Sequence, residues 1–398
     1  MKIIGYNSSH ETALAQYDTE TKKIDFCYEE ERFRRQKYWT PNYPQDQLLC
    51  IERMAIPKPD AFIGASFDRR SMPIVFDYDS LRYNRTGQQS ILDFCKEGQM
   101  TMERVDQLFE NHKEYIQDKD WNLFKEEQQA GRYLETSKDD ELHGRVADQL
   151  DMNEFHYEIE HHLYHAECGY WFSPWKEKEK AIAVVMDGGG CQAYMSEYPN
   201  YQEVETIYLC QPDTVPTKQY QRLSNYRINN DMAGEFFNEM GYGKVHCTKD
   251  VHEERDGAEI VFSSYPSMGM NFSALSLFFG FDKKGRAAGK VMGAASYQDW
   301  NVSPEGYIDW TVHSVANQLQ QTSFEFTCNL IQRAIDLNPD VPNIILSGGF
   351  ALNCTNNAKY LARFPDHQIF IDPVAHDGGT AIGAAIRLGR ALEKGEEV

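Results

Sequence analysis

The 398-residue chain contains no apolar run near the roughly 18 residues that a membrane helix requires. Its first ten residues, MKIIGYNSSH, turn polar at Asn7, too early for the apolar core of a secretion signal. Neither a membrane anchor nor an exported precursor is expected from them. Nine cysteines are present, but no CxxC pair and no regular spacing. An odd, unpatterned set argues against a disulfide framework and fits buried free thiols in a reducing cytoplasm. Internal repeats and low-complexity linkers are missing as well. Positive charge is short: 40 Lys and Arg face 61 Asp and Glu, for a net charge of −21. That balance argues against broad, nonspecific binding to nucleic acid or anionic membrane, while leaving room for a local basic groove. The densest positive stretches, RFRRQK (32–37) and KKGRAAGK (283–290), read as solvated faces unless one lies at a site for a phosphorylated ligand.

Apolar residues make up 41% of the chain and charged residues 25%, the balance of a soluble globular protein with a large core. The pattern opens with two strands joined by a turn at Ser8–Glu11, then a third strand in KIDFCYEEE. Residues 44–56 read as an amphipathic helix starting at a proline, and DAFIGAS (60–66) as a short buried strand. Residues from about 80 to 150 become polar with helical apolar spacing, a helical insertion. At 180–195, KAIAVVMDGGGCQAYM returns to a strand, a glycine turn and a second strand, echoing the opening hairpin. A long helix is predicted over 311–337, stopped at Asn338-Pro339. Two such hairpin starts, each feeding glycine turns and helices, predict an α/β chain of two related lobes (1–178 and 179–398). The C-terminal helix is a candidate to pack back on the first lobe. The arrangement is that of actin, sugar kinases and Hsp70, with a central cleft.

Three histidines fall within five positions in IEHHLYHAECGYWFSPW (159–175). In a helix, His161 and His165 project from one face a turn apart, whereas His162 points elsewhere. HExxH is not met, because His162 stands where Glu is needed. The alternatives are a polar core cluster and a metal pair. Asp377, in AHDGGTAIG, is the best candidate to complete a two-histidine, one-carboxylate set for a divalent transition metal. Three glycine stretches, DGGG (187–190), GKVMGAASY (289–297) and SGGFALN (347–353), offer backbone for a phosphate to approach. There Gly188, Gly189, Gly293, Gly348 and Gly349 would face a nucleotide or acyl phosphate. Lys290 could meet a phosphate as a point charge, and Asp187 could hold a metal-bound water or a reacting hydroxyl.

These residues together resemble the O-carbamoyltransferases of nodulation-factor and antibiotic biosynthesis. The resemblance runs in order through GYNSSHETALA, EEERFRRQKYWTPNYP, HHLYHAECGYWFSPW, AGKVMGAASY and GGFALNCTNNAKY. Glu11, Tyr38 and Ala288 depart from the family pattern, where Asp, His and Glu are expected. The resemblance implies that His161, His165 and Asp377 bind one divalent metal, iron or a substitute. It implies a nucleotide, ATP or carbamoyladenylate, near Gly348, Gly349 and Asn353, and the kinase-like fold shared with the tRNA threonylcarbamoyl-transferase domain. Family members continue into a further domain that builds carbamoyladenylate, whereas this sequence stops at Val398. The donor is then made elsewhere, or carbamoyl phosphate is used directly, or the sequence is a piece of a longer chain.

The expected reaction is therefore transfer of a carbamoyl group from carbamoyl phosphate to an acceptor hydroxyl. His10 and Asp187 are the candidate bases; Lys37 and Lys290 would hold the donor's phosphate or polarise its carbonyl. The rival readings are a kinase-like ATPase, and a metal- and nucleotide-binding subunit whose partner makes the donor. The acceptor is either a small sugar or antibiotic-like alcohol, or a hydroxymethylated base such as 5-hydroxymethylcytosine in DNA or RNA. The second would use Tyr78, Arg82, Tyr83, Arg85, Tyr201, Tyr208, Tyr220, Arg222, Tyr226 and Arg227 as a stacking and phosphate-contacting surface, against ordinary core aromatics.

Overall fold

The opening apolar alternation forms β1 (Lys2–Asn7) and β2 (Ala13–Asp18), paired antiparallel with Gly5 opposite Ala15. β3 (Lys23–Glu29) then pairs antiparallel with β2. The computed structural model describes residues 1–9, 11–37, 39, 41, 46–65, 91–116, 139–158, 160–193, 201–224, 250–263, 267–281, 287–299 and 310–396. Two short helices follow β3, α1 (Glu30–Arg34) and α2 (Leu49–Met54). The helix expected over 44–56 is thus shorter. Its start is fixed from outside: buried Glu30 accepts the amides of Leu49 at 2.7 Å and Cys50 at 3.0 Å, satisfying donors that every helix start leaves orphaned.

β4 (Ala61–Ala65) runs parallel to β1, and β5 (His156–Glu158) parallel to β4. Between them lie α3 (Ile91–Glu97), α4 (Met102–Ile116) and α5 (Asp139–Gln149). The described part of the predicted helical insertion consists of these three helices and a short joint at 98–101, but the helices part company. Leu142 and Val146 of α5, and Leu150 just after it, pack with Ile4, Tyr6 and Phe62 of the first sheet. Phe94 of α3 and Val105 and Leu108 of α4 join the core of the second sheet instead.

That second sheet starts after α6 (His161–Phe172), with β6 (Ala181–Met186) and β7 (Gln192–Ala193). It continues through β8 (Tyr201–Cys210), β9 (Thr217–Ser224), β10 (Val251–Arg255) and β11 (Ala258–Ser263). α7 (Met268–Phe278), α8 (Ala288–Asp299) and α9 (Trp310–Leu337) cover it. β12 (Asn343–Ser347), α10 (Cys354–Arg363), β13 (Gln368–Ile371) and α11 (Gly378–Lys394) complete the chain. The first sheet has the order β3-β2-β1-β4-β5; the second contains β9-β8-β6-β12-β13, extended by β11 and β10. In both, an antiparallel hairpin passes into parallel strands. The two related lobes predicted from the hairpin starts are this duplication.

One glycine reading needs correction. GKVMGAASY is not a turn but most of α8. Val291, Ala294 and Ala295 are buried at helical spacing, and Gly289, Lys290 and Gly293 fall on the exposed side.

α6 and α11 hold the two sheets together. α6 is buried along its whole length except Phe172, the mark of a helix with packing on every side. It lies against β6, β8 and β12 on one side and α11 on the other, and α11 in turn lies on β1, β2 and β4. The helices touch backbone to backbone at Gly383, where an added Cβ would overlap the Tyr164 carbonyl. Gly383→Ala should therefore destabilise the fold by about 3 kcal/mol through overpacking. Gly293→Ala, on exposed helix with nothing within 4 Å of the new Cβ, should stabilise it by up to about 1 kcal/mol. Urea unfolding of the two variants checks the opposite signs.

Candidate functional site

The N-terminus of α6, the end of β6 and the start of α11 converge on one buried cluster. His161 and His165 sit one helical turn apart, as their spacing requires, with their Nε2 atoms 3.2 Å apart. Asp187 follows the last residue of β6, and its Oδ2 is 3.3 Å from His161 Nε2. Asp377 immediately precedes α11; its Oδ1 is 3.6 Å from His161 Nε2 and 3.8 Å from His165 Nε2. One ligand atom from each of the four lies within 4.8 Å of all the others. None of the four is more than 8% exposed.

Asp377 is set by the opening motif. Asn7 Nδ2 donates to its carbonyl at 2.9 Å, and its amide donates to Glu11 Oε2 at 2.9 Å. Thr380 Oγ1 also donates to that carbonyl, at 2.7 Å. On the other side Ser347, at the end of β12, donates to Asp372 Oδ2 at 2.6 Å and lies 3.1 Å from the His165 carbonyl. The ends of β6 and β12, parallel neighbours, meet through Asp187 Oδ1, which accepts the Gly349 amide at 3.3 Å. Gly348 there has φ +85°, and an added Cβ would overlap the Met186 carbonyl, so only glycine fits the turn.

The electrostatics call for positive charge. Burial alone would drive a proton off His161, but the Asp377 and Asp187 carboxylates overcome it and push its pKa up to about 10. Burial and the neighbouring Asp377 raise the Asp187 carboxyl, and His161 and His165 outweigh both to leave it below the ordinary value. A divalent ion ligated at about 2.1 Å puts adjacent ligand atoms about 3 Å apart and opposite ones about 4 Å apart. Two imidazole nitrogens and two carboxylates in this compass fit such an ion by number, type and spacing. His162 takes no part. It points to β8, where Nδ1 lies 2.7 Å from Thr206 Oγ1, and burial lowers its pKa to about 4.

The structure brings together His161, His165, Asp187, Asp377 and the turns holding Gly188, Gly189, Gly348 and Gly349. Asp187 stands in the histidine cluster itself, a placement that sequence reading missed. Its signal was its position directly after an apolar strand, at the duplicate of the first hairpin. The Gly188 carbonyl accepts from Ser267 Oγ at 2.8 Å, which ties this turn to α7. The Asn353 side chain accepts the Asn356 amide at 3.4 Å, capping α10, and accepts from Gln320 Nε2 at 2.7 Å. Lys290 is exposed on α8 and donates to the Phe281 carbonyl at 2.8 Å, and Gly293 is exposed one helical turn further on. Lys37 is exposed beyond α1, and His10 lies outside the described residues. Of the acceptor surface, Tyr201, Tyr208, Tyr220 and Arg222 are core residues, buried because β8 and β9 are covered on both faces. Tyr78, Arg82, Tyr83, Arg85, Tyr226 and Arg227 lie outside the described residues. No described helix is long and apolar enough to cross a membrane.

Among known proteins, the nodulation protein NolNO of Sinorhizobium fredii is 42% identical over 52 residues, which are 13% of this chain and 8% of that protein. The nodulation protein NolO of Bradyrhizobium diazoefficiens is 45% identical over 49 residues, 12% of this chain and 9% of that protein. The matches therefore span a small part of those relatives. Full-length HypF, in a phosphate- and nucleotide-bound crystal structure, superposes with a TM-score of 0.41 at 14% identity, over 62% of this chain and 45% of that one. The sequence profile described as carbamoyltransferase N-terminus matches residues 2–338 and 329–386. With nearly its whole length matched, this chain belongs to the carbamoyltransferase N-terminal family.

Proposed function

We propose that this protein transfers a carbamoyl group from carbamoyl phosphate, directly or by way of carbamoyladenylate, to the hydroxyl of an acceptor alcohol. The observation that carries the reading is the family match along the chain, with the buried cluster supplying the chemistry. In the reaction a bond forms between the acceptor oxygen and the carbamoyl carbon. The bond from that carbon to the phosphate oxygen breaks, and the hydroxyl proton leaves to a base. His161, His165, Asp187 and Asp377 would hold a divalent ion, Fe2+ or a substitute. When bound, such an ion supplies Lewis-acid stabilisation of charge developing on donor oxygens.

The chain's own groups do the positioning. The turns at Gly188–Gly189 and Gly348–Gly349 present backbone next to the cluster, at the carboxyl ends of two parallel strands. Ligands of open α/β sheets gather there. The burial of Tyr201, Tyr208, Tyr220 and Arg222 and the net charge of −21 favour a small alcohol over a nucleic acid as acceptor.

Two outcomes follow. Metal analysis of the purified chain should find one divalent ion, and His161→Ala or Asp377→Ala should weaken its binding by more than about 100-fold with the circular dichroism unchanged. Full occupancy in both variants overturns the metal assignment. Incubation with carbamoyl phosphate, with and without ATP, and a panel of sugar alcohols, aminoglycosides and 5-hydroxymethylcytosine DNA should give a small-alcohol product heavier by one carbamoyl group. Nucleotide hydrolysis or phosphorylated product without carbamoylation would replace the proposal with a kinase-like one. Carbamoylated DNA would overturn the small-alcohol preference.

A further inference from the structure

α6 carries two members of the cluster, yet its N-terminus has no capping side chain of its own. The first two amides find acceptors elsewhere. His161 N–H points to Cys191 Sγ at 3.3 Å, and His162 N–H to Glu203 Oε2 at 3.5 Å. The same Glu203 oxygen accepts the Cys191 amide at 3.2 Å, and its other oxygen accepts from Gln221 Nε2 at 2.6 Å. The backbone of Glu203 grips the stretch after DGGG as well. Its carbonyl accepts from Gly190 at 2.7 Å, and its amide donates to Cys191 at 3.0 Å. Next along, Asp187 N–H donates to the Val204 carbonyl at 3.0 Å. One residue therefore touches both the segment that carries Asp187 and the helix that carries His161 and His165.

Strand alternation would not put it there. In a regular strand Glu203 and Glu205 share a face. Here the register shifts between them: Glu203 pairs with Leu223 and Glu205 with Arg222, consecutive residues of β9. The bulge turns the two carboxylates to opposite faces, and bulges next to active sites commonly re-aim a side chain. Glu205 goes to Arg222, at 2.5 and 2.9 Å, whereas Glu203 goes to α6. Thr206, opposite Gln221, returns to the Glu203 face and receives His162. A buried carboxylate spent on two backbone amides holds them at a fixed separation, since neither amide has water to turn to.

We propose that Glu203 is a positioning residue for the metal cluster: through the bulge at Val204 it fixes the spacing between Asp187 and the histidine pair, and so sets the affinity for the ion. This rests on the metal assignment above. The test is calorimetric titration of the full chain, stripped of metal, with Mn2+ and with Fe2+ under anaerobic conditions. Glu203→Asp keeps the charge but shortens the reach to the two amides, and should weaken binding about 10- to 100-fold. Glu203→Gln keeps the reach, with the Gln221 amide free to flip toward its new NH2, and should bind near wild type. Glu205→Gln, on the same strand but facing away, should bind as wild type even if its melting temperature falls. Wild-type affinity in Glu203→Asp overturns the proposal, as does an equal loss in Glu203→Gln or Glu205→Gln. A wild-type chain that binds no cation removes the metal assignment and this inference together; a wild-type chain that binds beside an unimpaired Glu203→Asp removes only the inference.

Discussion

Two carboxylates, Asp187 and Asp377, are buried beside one another with two imidazoles as their near neighbours. Taking one such ion out of water costs on the order of several kcal/mol, and two of the same sign repel as well. A protein keeps such a pair together only if positive charge lies between them and the surrounding frame is stiff. The imidazole of His161, with its pKa pushed up to about 10, is one source of that charge. The divalent cation proposed above would be another, because one ligand atom from each of the four side chains lies within 4.8 Å of the others. The rest of the site then makes sense as support. The Asn7 side chain, the Thr380 hydroxyl and the Glu11 carboxylate hold the backbone at Asp377, and its own carboxylate faces the cluster.

The frame is stiff because it is drawn from both halves of a duplicated architecture. β6 and β1 occupy equivalent places in their sheets, each the strand where the antiparallel hairpin hands over to parallel neighbours. Asp187 follows the first and Asn7 ends the second. α6 and α11, packed face to face, bring these two strand ends within reach of one pair of histidines. Small residues make that approach possible. Gly378, Gly379, Ala381, Gly383, Ala384 and Ala385 form a run that larger side chains would hold apart.

Much of this was legible in the sequence. The spacing of His161 and His165 specifies a shared face once a helix is assumed, and the duplicated hairpins announce two related lobes. Asp377 was reachable because a carboxylate ahead of a glycine-opened helix suits the histidine pair. Other features depend on contacts that no local pattern carries. GKVMGAASY has the glycines of a turn, but the burial of Val291, Ala294 and Ala295 makes it a helix. The hydrogen bond from Gln320 to the Asn353 side chain joins residues 33 apart in sequence, and no local pattern announces it. The tyrosines of β8 and β9 left a stacking surface and core aromatics both open, because a strand covered on both faces loses the alternation that marks its exposed side. Glu203 was invisible for a related reason. In YQEVETIYLC it and Glu205 occupy matching places in the alternation, and only the register against β9 separates them.

The order in which the parts leave the ribosome also follows from this layout. Asn7 bonds to the Asp377 carbonyl across 370 residues of sequence, and α11 covers the faces of β1, β2 and β4, which are made long before it. During synthesis Ile3, Ala13, Ala15 and Ile63 meet Tyr164, Cys168 and Trp171 of α6 first, and wait for Ala381, Ile382 and Ala385 of α11 to complete their cluster. Contacts of such long range close late, and apolar surface left open in the meantime invites aggregation. α11 is therefore the lid on one face of the first sheet, and Asp377 at its N-terminus belongs to the buried cluster, so that face and the charged centre close together.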